Sequence, residues 1–182
     1  MSRYEELIKQ QLLKGDLSKP DHLYGLLISE LAEKKEKVIE HLISSVYGYS
    51  ILDIGGGSGL MIAELDFDSK TVVDKRRFAE LANIGYIHEE YDVEKHISGS
   101  NHSHVLFSEF LHLFPIEDIQ KILSNDQLKD KTVIVIEPEY DDFLDLRLRL
   151  WSGGRCVKTR DINQCMGTIP VTVAGYNIWI RE

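Results

Sequence analysis

The chain has 182 residues, a hydrophobic fraction of 43% and a formal net charge of −9 at pH 7. This length suits one domain with a sizeable core, and the negative charge opposes binding to nucleic-acid phosphates or an anionic membrane. The sequence has no apolar run of the roughly 18 residues that a transmembrane helix needs, no signal peptide at its polar start, and too few cysteines for a disulfide framework. We therefore expect a cytoplasmic protein with reduced thiols and no membrane partner, and we do not expect a nucleic-acid partner.

The N-terminal quarter of the chain has helical periodicity. Apolar residues recur at helical spacing from Tyr4 to Lys14, and a second helix is predicted to begin near Asp21, as its N-cap, and to end near Ser45. The apolar face of this second helix consists of Leu23, Leu27, Leu31, Val38, Leu42 and Val46. We interpret residues 1–47 as a short helical cap.

From residue 48 onward, apolar runs alternate with helical patterns. The predicted strands are Ile51–Ile54, Lys70–Asp74, Tyr86 into Asp92, a strand beginning at Val105, Thr132–Glu137, and a terminal hairpin over Val171–Ile180 that turns at Gly175. The predicted helices between them are Gly59–Leu65, Arg76–Asn83, Ile116–Leu123 and Phe143–Trp151. This alternation predicts an α/β fold with a doubly wound, Rossmann-like sheet of seven strands, mostly parallel with an antiparallel terminal strand. Residues 48–182 form its core, and 1–182 is a single domain.

A glycine-rich turn follows the first predicted strand. Asp53 ends the apolar run, and Gly55, Gly57 and Gly59 follow at alternate positions. Such a turn brings bare backbone amides close to a ligand. A dinucleotide loop needs a glycine where Leu60 stands, and a P-loop needs a Gly-Lys-Ser/Thr ending that is absent. A turn with no ligand is the alternative.

Asp-x-Gly-x-Gly-x-Gly resembles the cofactor loop of class I S-adenosylmethionine-dependent methyltransferases. This resemblance implies S-adenosylmethionine as the cofactor, held by the glycine loop and by acids that end neighbouring strands. Asp53 would hold the loop or the amino-acid end of the cofactor, and Asp74 the ribose hydroxyls, as in the dinucleotide-binding analogue. Asp92 would accept from the adenine amino group. Taken singly, each acid is more often a solvated residue at a strand end.

The segment from Val105 to Leu123 resembles strand four of small-molecule O-methyltransferases of the plant phenolic and hydroxyindole type. The resemblance places His112 on the general-base histidine of that family and Glu137 on the glutamate that orients it. Ser108 stands where the family usually has a lysine, and we count it among the cofactor-binding residues. Gly153-Gly154-Arg155 with Thr159 also matches a family segment.

The chain also departs from this family. Leu113-Phe114 replaces an Asp-Trp pair, Ile162 occupies the expected place of a second orienting glutamate, and the dimerising N-terminal domain is reduced to about two helices. The resemblance therefore implies a small-molecule acceptor, with a homodimer left open. A histidine with a pKa near 6.5 suits removal of a phenolic proton, although a structural histidine is the alternative.

Other functions and sites remain as alternatives. The fold also serves methyltransferases that act on protein or nucleic acid, which often have Asn/Asp-Pro-Pro-Tyr/Phe where this chain has Ser108-Glu109-Phe110-Leu111. A non-catalytic partner subunit that binds S-adenosylmethionine is a third reading. His102 with His104, and the acid-rich segment 137–142, are alternative metal sites, but a polar loop is the better interpretation of each. The resemblance thus implies an O-methyltransferase, and we expect no metal.

Overall fold

A computed structural model describes residues 22–75, 80–89, 93–139 and 158–182, with side chains of the first helix given from residue 32. The elements are α1 (His22–Ser45), β1 (Tyr47–Ile54), β2 (Asp66–Val73), β3 (Gly85–Ile87), α2 (Val93–Ser98), β4 (His104–Ser108), α3 (Ile116–Leu123), β5 (Thr132–Pro138), α4 (Thr159–Met166), β6 (Val171–Val173) and β7 (Tyr176–Arg181). Short 3₁₀ turns lie at Leu111–Leu113 and Asp126–Leu128. The predicted helices Tyr4–Lys14 and Phe143–Trp151, the cap residue Asp21 and the segment Gly153–Arg155 lie outside the described residues.

The seven strands form one sheet in the order β3-β2-β1-β4-β5-β7-β6. All neighbouring pairs are parallel except those of β7, which runs antiparallel to both β5 and β6. This arrangement confirms the predicted doubly wound, Rossmann-like fold. The strand order reverses between β1 and β4, where Ile54 pairs with Phe107. The loops after these two strands therefore meet at the switch point, where ligands bind in such sheets.

Side chains alternate between two apolar layers, one on each face of the sheet. Ile51, Leu106 and Ile134 point to the layer that contains Val38, Ile39 and Leu42 of α1. The flanking residues Leu52, Val105 and Val133 point to the opposite layer, which contains α2, α3 and α4. Because β1, β4 and β5 are covered on both faces, they read as continuous apolar runs. None of the helices in the described ranges has the length and hydrophobicity to cross a membrane.

The prediction of a helix over Gly59–Leu65 is wrong, because this segment forms consecutive turns. Its backbone bonds join Ile62 N to Gly59 O and Leu65 N to Ile62 O, at a spacing of three residues rather than the four of an α-helix. Leu60, Met61, Ile62 and Leu65 are all buried. These apolar side chains are buried without forming the face of a helix, and the short connection to β2 packs into the core as turns.

Two further differences concern the shorter elements. Residues 80–83 of the predicted helix Arg76–Asn83 are not helical, and 76–79 lie outside the described part. Strand β3 ends at Ile87, so it is shorter than predicted. The helices α2 and α4 were not predicted, because each is short and buries only two or three side chains.

Candidate active site

The glycine loop after β1 surrounds a buried carboxyl group. Asp53 is 0% exposed, and neither of its carboxyl oxygens has a hydrogen-bond partner among the described residues. A Cβ atom at Gly56 would lie 2.3 Å from Oδ2 of Asp53, so the side chain packs against the bare backbone of the loop. A buried polar group without a partner is costly and needs an explanation.

The neighbouring acid holds the loop from the end of β2. Asp74 is 1% exposed, and its Oδ2 accepts a hydrogen bond of 3.0 Å from the Gly57 amide. On the other side, Tyr86 Oη donates to the carbonyl of Ser58 at 2.7 Å and accepts from Leu81 N at 2.8 Å. Strands β2 and β3 therefore brace the loop by side-chain contacts with its backbone.

The glycines of this loop are required by its shape. Gly55, Gly57 and Gly59 all have positive φ angles, of 76°, 59° and 78°. A Cβ at Gly55 would lie 2.2 Å from the Phe110 ring, and one at Gly59 would lie 2.9 Å from Ile84 Cδ1. Protein side chains thus occupy the space beside two glycines, so the glycines alone do not demand a ligand. The unsatisfied carboxyl of Asp53 is the feature of the loop that fits a hydrogen-bonding ligand.

Asp53 also has an altered pKa. Burial, followed by the negative charge of Asp74, raises the pKa of Asp53 to about 8, while the charge of Lys35 acts in the opposite direction. The carboxyl is therefore mainly protonated at neutral pH. The ammonium group of an amino-acid ligand would supply both the missing hydrogen bonds and a compensating charge. The residues of the loop therefore fit the amino-acid end of S-adenosylmethionine.

A second buried carboxylate holds the turn after β4. Oε1 of Glu137, at the end of β5, accepts from the backbone amides of Phe110 at 3.0 Å and Leu111 at 2.7 Å. Its Oε2 lies 3.1 Å from Nδ1 of His112. Because Glu137 is only 1% exposed, these contacts are shielded from water. The turn and the imidazole are therefore fixed by one side chain.

His112 is 6% exposed and lies in the turn after β4. The ring of Phe110, two residues earlier, packs against Gly55, so the turn that carries His112 touches the loop. Burial lowers the pKa of His112, but the charge and hydrogen bond of Glu137 and the charge of Glu109 outweigh it, so the pKa of His112 is raised overall. When Nδ1–H donates to Glu137, Nε2 is the nitrogen that accepts a proton.

A third acid on the same turn connects it to α1 and β7. Glu109 Oε2 accepts from Lys35 Nζ at 2.6 Å, and its Oε1 accepts from Tyr176 Oη at 2.5 Å. Burial raises the pKa of Glu109, but Lys35, Tyr176 and His112 together lower it below its usual value. The site thus combines elements from both halves of the sheet with the N-terminal helix.

The predicted site residues have different outcomes. Asp53, Asp74, His112 and Glu137 lie at the carboxyl ends of β1, β2, β4 and β5, as expected, and Ser108 is buried as the last residue of β4. Asp92 lies outside the described residues. Their roles in binding and catalysis stay predictions. In the part of the chain that the structure describes, no cluster of His, Cys, Asp and Glu could hold a metal ion. His102 instead contacts Thr71 and Ser100 by its two ring nitrogens.

The sequence interpretation missed Lys35, Glu109, Tyr86 and Tyr176. No motif marks the two tyrosines. Lys35 lies in a highly charged helical stretch, where its neighbour Lys37 forms the expected i,i+4 pair with Glu33. The one available signal was Glu109, a charged residue directly after a buried strand.

Solved structures of similar fold were found at low sequence identity. The mitomycin 7-O-methyltransferase MmcR superimposes with a TM-score of 0.59 and 14% identity over 100% of this chain and 69% of MmcR. The pyocyanin biosynthetic protein PhzM gives 0.62 and 16%, over 100% of this chain and 62% of PhzM. Magnesium protoporphyrin IX methyltransferase ChlM from Synechocystis PCC 6803, solved with bound SAH, gives 0.60 and 13%, over 91% of this chain and 89% of ChlM.

The likeness lies in the three-dimensional structure. The sequence matches no protein-family model and no curated protein. The chain spans less than two thirds of PhzM and about two thirds of MmcR. Together with the strand order, these comparisons show that the chain shares the Rossmann-like fold of these solved structures.

Proposed function

We propose that this protein transfers a methyl group from S-adenosylmethionine to a hydroxyl of a small molecule, with His112 as general base. One observation carries the proposal. A buried imidazole is held by a fixed carboxylate at the switch point of the sheet, in a turn that touches the glycine loop. MmcR and ChlM are methyltransferases, and MmcR is an O-methyltransferase. The acidic character of the chain favours this function over methylation of nucleic acid.

The residues divide the work between binding and proton removal. When bound, S-adenosylmethionine supplies a methyl group already activated by a sulfonium. Asp53 would bind its ammonium group, Asp74 its ribose hydroxyls, and the amides of the glycine loop its amino-acid end. Glu137 fixes the ring and tautomer of His112, so that Nε2 is free to take the proton of the acceptor hydroxyl. The protein thus contributes orientation and a base.

A first experiment tests cofactor binding. S-adenosylmethionine and S-adenosylhomocysteine should both raise the melting temperature, because a ligand selective for the folded state stabilises it by mass action. Asp74→Ala should weaken binding by about 1.5–3 kcal/mol, the scale of a hydrogen bond to a charged group. Asp126→Ala is the control, since Asp126 is exposed and pairs only with Lys129 in the contacts described. Calorimetry showing no heat with either compound, but binding of NAD, would overturn the proposal.

A second experiment tests the base on a panel of phenols. His112→Ala should leave cofactor binding intact and lower turnover by roughly 10²–10⁴, the usual contribution of a general base. Because the unprotonated imidazole is the active form and its pKa is raised, wild-type turnover should rise with pH, with a midpoint above that of an ordinary histidine. The mutant's deficit should shrink at high pH, where phenols ionise unaided.

The control for this experiment lies on the same strand. His104, at the opposite end of β4, bonds to Ser103 and packs on Phe67, so His104→Ala should keep normal turnover per folded molecule. Cofactor binding with no turnover on any phenol would favour the non-catalytic reading instead.

A further inference from the structure

An ion pair ties α1 to the turn that carries His112. Lys35 is 15% exposed and Glu109 28% exposed in their side chains, and 2.6 Å separates Lys35 Nζ from Glu109 Oε2. These groups lie far apart in sequence and belong to different elements. The second oxygen of Glu109 is occupied by the Tyr176 hydroxyl of β7. Because the pair is shielded and its acid is fixed by a second donor, it is better ordered than an exposed pair.

Glu109 begins the turn that carries His112 and has an unusual backbone conformation. Its φ angle is +50°, in the left-handed region that non-glycine residues rarely adopt. Its amide donates to the carbonyl of Ile136, and the next two amides donate to Glu137. The backbone strain at Glu109 is therefore held from two sides: by β5 through the backbone, and by Lys35 and Tyr176 through the side chain.

We propose that Lys35 and Glu109 are positioning residues for His112: their ion pair holds the turn that carries the imidazole, and their opposite charges act on it from α1 and from the turn itself. The catalytic meaning of this inference rests on the proposed function, but the electrostatic arrangement does not. It differs from the role of Glu137, which contacts the ring directly. Neither Lys35 nor Glu109 needs to touch a substrate.

The charges around the imidazole support this assignment. Among the described residues, the charged groups that act on His112 are Glu137 from β5, Glu109 from its own turn and Lys35 from α1. Both acids raise the pKa of His112, and Lys35 lowers it. The two members of one ion pair therefore act on the imidazole with opposite signs. Loss of Lys35 removes a cation and should raise the pKa of His112, whereas loss of the Glu109 charge should lower it.

This difference in sign separates the proposal from a purely structural role. Either substitution breaks the same ion pair. If the pair had only a structural role, both variants would loosen the turn in the same way and move the His112 titration midpoint in the same direction. An electrostatic role moves it in opposite directions. The double variant Lys35→Met/Glu109→Gln, which removes both charges, should titrate between the two single variants.

The experiment is an NMR titration of the histidine side chains in the full chain without ligand. The His112 resonance is assigned by its loss in His112→Asn. We expect the midpoint to move upward in Lys35→Met, downward in Glu109→Gln, and not at all in Lys35→Arg, which keeps the charge. Lys37→Met is the matched control, because Lys37 lies on the same helix but forms an exposed pair with Glu33. Shifts in the same direction for both single variants, or no shift in either, would overturn the inference.

A kinetic arm connects this result to the proposed function. The acid limb of the pH–rate profile should follow the NMR midpoint, to higher pH in Lys35→Met and to lower pH in Glu109→Gln. Opposite NMR shifts in a protein with no methyl transfer would uphold the electrostatic arrangement while removing the proposed function. Methyl transfer in variants whose His112 titration midpoint does not move would support the proposed function and overturn the electrostatic arrangement.

Discussion

Two buried carboxyl groups lie at the same edge of the sheet but differ in their hydrogen bonding. Glu137, at the end of β5, is bonded to two amides and an imidazole. Asp53, at the end of β1, has both oxygens unpaired and a pKa of about 8. They are equally inaccessible, at 1% and 0% exposure. Two carboxyl groups of the same burial therefore differ in the hydrogen-bond donors that surround them.

The difference indicates which half of the site is complete before a ligand arrives. On the side of the proposed base, two backbone amides and the His112 ring contact the carboxylate of Glu137. The turn that carries His112 is therefore ordered before any ligand binds. On the cofactor side, Asp53 lacks a donor, and such a group destabilises the fold. Sites often trade stability for function in this way. The comparison predicts that removing the two acids affects stability with opposite signs.

The largest expected effect is at Glu137. Glu137→Ala should destabilise the fold by about 3–5 kcal/mol, because it leaves two amides and a buried imidazole without their acceptor. Urea denaturation followed by circular dichroism measures this loss. Glu139→Ala is the control, since Glu139 is exposed two residues further along. A loss below about 1 kcal/mol would show that water replaces the carboxylate.

The next effect is at Asp53 and depends on pH. The folded pKa of about 8 exceeds the ordinary value of 3.8, so between these values the folded chain holds a proton that the unfolded chain has released. Stability from this group therefore falls as pH rises, by about 1.4 kcal/mol per unit over that window. Asp53→Asn should flatten the dependence and be more stable than wild type at pH 8. An equal slope in both proteins, measured by denaturation between pH 6 and 8, would refute the unpaired state.

The strands were predictable because burial on both faces leaves a direct signal in the sequence. The β-branched run Thr132–Glu137 matches β5 closely, and the acids at strand ends follow from the doubly wound topology. The apolar residues of segment 59–65 suggest a helix, but the close return to β2 and the positive φ angle of Gly59 favour turns. The short connection to β2 therefore determined the conformation of this segment more than its apolar pattern did.

The site was predictable only where a motif marks it. His112 and Glu137 followed from the resemblance, and their contact is observed. The Lys35–Glu109 pair was missed, because a contact between residues so far apart in sequence leaves no periodic trace. The unpaired carboxyl of Asp53 was missed for a related reason, since whether a buried group has hydrogen-bond partners depends on all of its neighbours in space.

The smallest expected effect concerns the glycine loop and separates backbone strain from ligand binding. Gly57 and Gly175 have φ angles of 59° and 82°, and a Cβ built at Gly175, in the β6–β7 turn, would meet no atom within 4 Å. Alanine at either position should cost about 1 kcal/mol from left-handed strain. Only Gly57→Ala should also reduce the rise in melting temperature given by S-adenosylhomocysteine, because the Gly57 amide binds Asp74 at the proposed ribose site. An undiminished rise in Gly57→Ala would mean that the loop, like the hairpin turn, needs glycine for its shape alone.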